Sequence, residues 1–319
     1  MLALRLAPGQ PITTPWPSHA AFGVDFLAGR SIVNARHVPL AEALTLTRAS
    51  GRLVRTRAGH WQAVSAGQPA ISDLGLSLEP ERTNTIVFNT GNSGAGLLLT
   101  GTTFTSLTAG DSPARDAHGK RSVQGNGTTD GVTRHTLSVL GGTTYSWSQS
   151  FKYDGSATWI RFMFSDNVAH GLNVWLDLQT MTLGTASFFG SAVLQGYSLT
   201  PEGDGWYRLT MTGTVPNPAS GGLSSYACTA NGNSSRQAGS YRLWAPQMEL
   251  GMPTSPILTF GTSETRRQDQ AQLPLPAGAH TLRQWRAGAA QAIAVPGGTY
   301  TLPVDDSGSF IQWLWSDQS

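Results

Sequence analysis

A chain of 319 residues can bury a substantial core without metal or disulfide, and its length allows two ordinary domains or one large one with appendages. Charged residues make up only 13% and the formal net charge is +2, with acids scattered among the bases, which excludes the concentrated positive field that nucleic acid binding needs. The single cysteine, Cys228, excludes an intramolecular disulfide framework and cannot alone hold a structural zinc ion.

The 37 glycines, with Asn, Asp, Ser and Pro recurring at short intervals, favour many short strands and tight turns. Aromatics at 9% argue against disorder. In chain order, the segment MLALRLAPGQPITTP has only a short apolar run before Pro8, too short for a secretory core or a membrane span, so no membrane insertion is expected. Residues 1–37 carry Pro8, Pro11, Pro15 and Pro17 with isolated aromatics, and read as an extended arm that docks through Trp16, Phe22 and Phe26.

Residues 44–68 alternate Leu, Val and Thr with Ser50-Gly51, Ala58-Gly59 and Ala66-Gly67, the pattern of hairpins. Arg48, Arg52, Arg55 and Arg57 fall close together there, and a solvated strand face is expected ahead of an anion site. Around Leu97, Leu98 and Leu99 a buried strand is expected, and residues 111–135 read as exposed loop with one strand near Val123.

Residues 137–214 are the most informative, because strand-like runs follow one another between Gly-Gly, Asp-Gly, Asp-Asn and Gly-Asp-Gly turns. This is the pattern of an antiparallel sandwich. In TTYSWSQSFKY, Tyr145, Trp147, Gln149, Phe151 and Tyr153 share one face, and the serines and Lys152 the other. The runs SSYACTA and SYRLWAPQMEL close the sandwich, RQDQAQLPLPAGA reads as a linker, and residues 279–319 as a small three-stranded β appendage. LRQWRAGAAQA also fits a short helix.

Three stretches carry a resemblance. VDFLAG and LTRAS lead into LGLSLEPERTN, where Leu78, Glu79, Pro80, Arg82, Thr83 and Asn84 stand in a characteristic line. GGTTYSWSQSFKY offers Gly142, Tyr145, Ser146 and Lys152. GDGWYRLTMTGT is followed by LWAPQMELGMPTSPI, with Trp244, Gln247, Glu249 and Gly251 matching and Ala245, Pro246 and Pro256 departing. Over about residues 22–268 the chain resembles head-spike, head-fibre and tail-fibre proteins of tailed phages and gene transfer agents, in which a carbohydrate-binding-module-like jelly roll recurs.

The resemblance implies an all-β protein: an N-terminal arm and hairpin docking region (1–84), a jelly-roll antiparallel β-sandwich (85–268) and a small C-terminal β domain (269–319). It further implies a virion or phage-like particle surface protein, released by lysis, that attaches to host surface polysaccharide as a homo-oligomer beside other particle proteins. The alternatives are a structural or adaptor subunit, with Trp285, Trp313 and Trp315 as a socket for a partner, and a glycan-cleaving enzyme. Fold likeness does not carry ligand specificity.

Glycan binding needs flat aromatic faces and nearby polar groups. In TWIRFMFS the apolar Ile160, Phe162 and Phe164 should turn inward, leaving Trp159 and Arg161 outward, and Trp175 shares a face with Asn173 and Asp177. The candidate glycan residues are therefore Trp159, Arg161, Asn173, Trp175, Tyr153 and Gln149, whereas Trp206, Tyr207 and Trp244 are assigned to the core. Catalysis would need two facing carboxylates, and Asp154, Asp166, Asp177, Glu202 and Asp204 offer material, but all except Asp177 sit beside turn residues, where Asp is common for backbone reasons. No catalytic residue, metal ligand or cofactor is assigned, with a structural calcium ion left open. Cys228 reads as a buried thiol.

Overall fold

The computed structural model describes residues 15–87, 97–125, 132–166, 169–216, 219–278, 280–286, 288–305 and 308–317. Among the described residues the chain is nearly all β, in antiparallel sheets, with one short helix at Leu40–Ala43. It divides into two compact units: residues 58–62 with 82–266, and residues 1–57 with 63–81 and 267–319.

The larger unit is built on twelve strands: β1 (Leu97–Thr100), β2 (Thr102–Ser106), β3 (Lys120–Gln124), β4 (Val132–Val139), β5 (Tyr145–Tyr153), β6 (Trp159–Ser165), β7 (Gly171–Asp177), β8 (Thr182–Phe189), β9 (Val193–Pro201), β10 (Tyr207–Thr214), β11 (Ala219–Cys228) and β12 (Gly239–Leu250). They form two six-stranded sheets, ordered β1-β4-β11-β6-β7-β8 and β2-β3-β12-β5-β10-β9. The expected loop over 111–135 thus contains β3 and the start of β4.

Period-two patterning sets the inner faces. In β6, Ile160, Phe162 and Phe164 are fully buried while Trp159, Arg161 and Met163 are half-buried. Trp147 and Phe151 of β5 meet them from the opposite sheet. Trp147 stacks on Phe164 at 4.5 Å between ring centroids, and Phe151 meets Phe162 edge-on at 5.8 Å. Leu172, Val174, Leu209, Met211 and Met248 fill the same cluster. Each such side chain contributes about 1.5–3 kcal/mol by leaving water.

The outer face of the β5 sheet is polar yet covered. Arg208 is buried and donates to Ser148 Oγ (2.8 Å), Ser150 Oγ (3.0 Å) and the Ala245 carbonyl (3.2 Å). Gln247 Oε1 accepts from the Ile257 amide at 2.6 Å, and Glu249 Oε2 from the Thr254 hydroxyl at 2.6 Å. Burial pushes the Glu249 carboxyl above its ordinary range, with the Thr254 bonds acting against it. Asn84 Oδ1 accepts from the Met248 amide at 3.1 Å, and Arg82–Asn84 pairs with Glu264–Arg266. The first and last of the stretches that carried the resemblance are therefore adjacent, and their polar residues tie segments together.

Ala245 and Pro246, the departures within the closing strand, coincide with a register shift against Ser148–Ser150, and Ala245 has φ 44°. A bulge lets proline sit in a strand paired on both sides, because the ladder is already interrupted there.

The second unit joins the two ends of the sequence. Ala20–Asp25 pairs with Phe310–Asp317, and Thr45–Thr47 pairs with Gln270–Leu275. One sheet runs Ala289–Val295, His280–Arg286, Phe310–Asp317, Ala20–Asp25, Arg30–Val33, Arg36–His37, with Gly75–Ser77 also on Phe310–Asp317; another is Gly298–Leu302, Gln270–Leu275, Thr45–Thr47. The N-terminal region and the C-terminal appendage, expected as separate parts, are one folded body. The run LRQWRAGAAQA, which also fitted a helix, falls in two paired strands, His280–Arg286 and Ala289–Val295.

Three expectations change here. Trp16, Phe22 and Phe26, expected as docking contacts, are buried within their own unit: Phe22 and Phe26 lie in its core with Leu76, Leu273, Leu282 and Leu314, and Trp16 packs with Ala20, Ile32 and Trp315. Isolated aromatics in a proline-rich stretch gave no sign of the C-terminal strand that covers them. Arg48 and Arg52 are not on a solvated face. They are buried on Asp269, with Arg48 Nη1 2.6 Å from one carboxylate oxygen and Arg52 Nη1 2.5 Å from the other, and Arg52 also pairs with Glu79 at 2.6 Å. Thirdly, 267–279 is no linker, since it holds Gln270–Leu275 and the Asp269 carboxylate.

Candidate functional site

The sequence-derived glycan residues separate into three places. Trp159, Arg161, Asn173 and Trp175 do share the outer face of the β6 sheet, since the register sets Arg161 beside both Trp175 and Tyr226. However, they form a closed cluster. Arg161 donates to Asn173 Oδ1 from Nε (2.9 Å) and Nη2 (2.5 Å), donates to the Tyr226 hydroxyl, and lies over the Trp175 and Tyr226 rings at 5.2 and 5.7 Å.

The loop after β11 closes this cluster. Trp175 Nε1 donates to the Asn233 carbonyl at 2.9 Å, Arg236 covers the Tyr226 ring at 4.7 Å, and Asn231 Oδ1 accepts from the Thr185 amide at 2.7 Å. Trp175 is left 4% exposed and Asn173 3%. A ring already covered on its face cannot stack on a sugar, so Trp175 holds the loop, and Asn173 holds Arg161 and Ser187. Cys228 belongs to the same cluster with Trp159, Trp175 and Tyr226. Burial pushes its thiol up to about 12, against the Arg161 charge, so at neutral pH it is a protonated, unreactive group.

Gln149 lies in the other sheet, on the inward row of β5, buried; among the described residues its Nε2 and the neighbouring Trp147 Nε1 have no hydrogen-bond partner. It cannot reach a surface ligand. The strict alternation of TTYSWSQSFKY placed it correctly by face but did not say that this face is the core.

Tyr153 is the candidate that reaches an opening. The inward rows of β5 (Trp147, Gln149, Phe151) and β10 (Met211, Leu209) end in Tyr153 and Tyr207, where the sheet runs out. Both tyrosines are half-buried and line a groove of about 310 Å³ with Lys152, Leu178, Gln179, Thr180, Met181 and Gly205. Pockets for small ligands start at roughly 300 Å³. Leu178 is fully buried in the core cluster and Met181 packs on it, so the floor is rigid and apolar.

The turn on one wall is set by Asp177, whose Oδ1 accepts from the amides of Gln179 (2.8 Å) and Thr180 (3.2 Å), an arrangement typical of Asp at turns. On the other wall Gly205 has φ 76°, a conformation that favours glycine. Lys152 Nζ is 3.2 Å from Asp111 Oδ1 and 5.9 Å from the Trp206 ring centroid. Trp206 and Trp244 are core residues, as the sequence indicated, whereas Tyr207, assigned with them, is half-exposed at the groove. Its signal was available: it continues the inward row, but at the first position of the strand, where no further rung covers it.

Beside the groove runs a chain of alternating charges, Lys152–Asp111–Arg242–Asp154–Arg121. Burial alone would raise the Asp154 carboxyl, but hydrogen bonds from Arg121, Arg242 and Ser240 outweigh it and hold the group below its ordinary range. Missed in the sequence were Asp111 and Arg242, which come together from distant segments.

The carboxylates considered for catalysis are individually engaged. Asp166 Oδ1 accepts from the Ala169 and His170 amides at 3.0 Å, Glu202 Oε1 from Trp61 Nε1 at 2.6 Å, and Asp204 is 3.6 Å from both His60 and Arg115. Among the described residues no three His, Cys, Asp or Glu side chains lie together as a metal site, and no helix is long and apolar enough to cross a membrane. Comparison with protein-family models and with curated proteins finds no match for this sequence.

Proposed function

We propose that the chain is an attachment subunit of a phage-like particle, a fibre or head spike, whose larger unit is a jelly-roll, carbohydrate-binding-module-like sandwich that takes host surface polysaccharide at the Tyr153–Tyr207 groove without cleaving it. The observation that carries the glycan part is the composition of that groove: Tyr153 and Tyr207 line it with the apolar Leu178 and Met181 and the polar Lys152, Gln179 and Thr180. Aromatic faces cover the apolar side of a pyranose, and amide, ammonium and hydroxyl groups exchange hydrogen bonds with its hydroxyls.

The particle part rests on the resemblance described above. Weak single sites of this size gain avidity when several copies are displayed, which fits a homo-oligomer on a particle surface among other structural proteins. No cofactor enters this reading. The open position of the groove favours glycan binding over a purely structural or adaptor role, and the engagement of each acidic side chain in a turn or ion pair favours binding over cleavage.

Binding to a panel of bacterial surface polysaccharides tests the reading. Tyr207→Ala and Tyr153→Ala should each weaken binding about fivefold to tenfold, the equivalent of about 1 kcal/mol per ring, while Arg161→Ala leaves it unchanged. Equal binding by wild type and both tyrosine variants would remove the groove from consideration. Release of new reducing ends from the bound polysaccharide would replace attachment with depolymerisation.

A further inference from the structure

Among the described residues, Ala289–Val295 is the outermost strand of the second unit's larger sheet, paired on one side only, with His280–Arg286. Its sequence AAQAIAV holds no charge and no proline, and its pairing runs residue for residue from Ala289 to Val295 without a shift. The first four residues are exposed. A free edge with unpaired backbone N–H and C=O groups is a template for another strand, and proteins ordinarily blunt such edges with charge, proline, bulges or shortness.

Some other edges among the described residues are blunted, and the unblunted ones, such as Leu97–Thr100, Thr102–Ser106 and Gly298–Leu302, are shorter than Ala289–Val295. Arg36–His37, at the far side of the same sheet, has two residues, both basic side chains. In the larger unit, β8 and β9 each carry a register irregularity, Asn231 occupies the Thr185 amide beside β8, and β9 ends on Pro201. Ala289–Val295 has none of these devices.

We propose that this strand pairs antiparallel with the same strand of a second copy of the chain, about a two-fold axis at Ala292. The pairing deepens the homo-oligomer part of the proposed function and does not depend on its glycan part. In that register Ala290 faces Ala294, Gln291 faces Ile293, Ala289 faces Val295, and Ala292 faces itself. No like charges oppose, and the small residues crowd nowhere. A two-fold contact of this type is self-complementary, since each copy supplies the same patch, and it extends the sheet across both copies. On one face the row continues inward from Ala290 to Trp285 and Trp313, whose rings stack at 5.6 Å, so the junction is backed by a rigid aromatic pair in each copy.

Sedimentation of the full chain over a range of concentrations should show a dimer or a multiple of it. Ala292→Lys, which sets two ammonium groups opposite each other at the axis, should weaken dimerisation at least tenfold with an unchanged far-ultraviolet spectrum. Ala292→Cys should cross-link to a covalent dimer with oxidised glutathione, because facing residues lie about 5 Å apart at Cβ. Ala289→Cys should not, because its own copy sits about 20 Å away along the strand; Cys228 is buried and does not compete. A dimer unaffected by Ala292→Lys, equal cross-linking at 289 and 292, or none at 292 overturns this pairing while leaving oligomerisation in place. A monomer at every concentration overturns both.

Discussion

The two units are both layered from antiparallel sheets around apolar cores, yet the second adds a buried ion network that joins its separated stretches. The larger unit is built mostly from one continuous stretch, 82–266, around an aromatic and aliphatic core. The second is assembled from three separated stretches, and joins them with buried ions: Arg48 and Arg52 on Asp269, with Glu79 on Arg52. Apolar burial is non-directional and tolerates many partners, whereas a buried charge needs its counter-ion in place. The second unit therefore depends on a few specific residues far apart in the chain.

The sharpest way to break this comparison is Asp269→Asn. It leaves two buried guanidinium groups short of charge, and removal of one partner from such a network costs about 3–5 kcal/mol. Chemical denaturation should then separate into two transitions, with the second unit unfolding first. Unchanged, coincident unfolding would show that the ions are dispensable.

Arg161→Ala acts on the other side of the comparison. It strips the Tyr226 hydroxyl and Asn173 Oδ1 of their donor, and unpaired buried polar groups cost about 1–3 kcal/mol, so the larger unit should lose stability by that amount. Retained stability would mean the cluster beneath the 229–237 loop is held by ring contacts alone.

Acid sensitivity follows from Asp154. Its depressed folded-state pKa means that the carboxylate stabilises the larger unit above its unfolded value near 3.8, and that this contribution is lost as pH falls through the lower folded value. Asp154→Asn should flatten the pH dependence of stability below about pH 4, by about 1 kcal/mol for a partly exposed pair. An unaltered acid profile would assign the sensitivity elsewhere.

The smallest expected signal is at Cys228. Held protonated and buried, it should resist alkylation at pH 8 in the folded protein. It should remain protected in Asp269→Asn under conditions where only the second unit has opened. Rapid labelling there would mean that the two units unfold together.

How much was legible in the sequence follows the same divide. Period-two alternation named the inward residues of β6 and grouped those of β5 on one face without saying that this face is the core. The polar outer face of the other sheet was harder, since Ser146, Ser148, Ser150 and Arg208 look solvated but are buried. Of the candidate glycan residues, Tyr153 lies at the groove, whereas Trp175 and Asn173 are buried, Trp175 beneath residues 229–237 and Asn173 against Arg161 and Ser187, contacts that nothing local in the sequence shows. The Asp269 network was invisible for a similar reason: its members are 217 and 221 residues apart, and pairwise charge contacts leave no periodic trace.

The pairing of Ala20–Asp25 with Phe310–Asp317 also sets the order of events during synthesis. The ribosome makes residues 82–266 before the strand that covers Phe22 and Val24, so Ala20–Asp25, paired on one edge with Arg30–Val33, waits for its second neighbour. Domains emerging from the ribosome fold as they are finished, and here an early strand is among the last to be secured. A nascent chain halted near residue 305, with residues 82–266 clear of the exit tunnel, should carry a folded larger unit and an Ala20–Asp25 strand still open to chaperones, and ribosome-bound protease digestion at successive lengths would show that order directly.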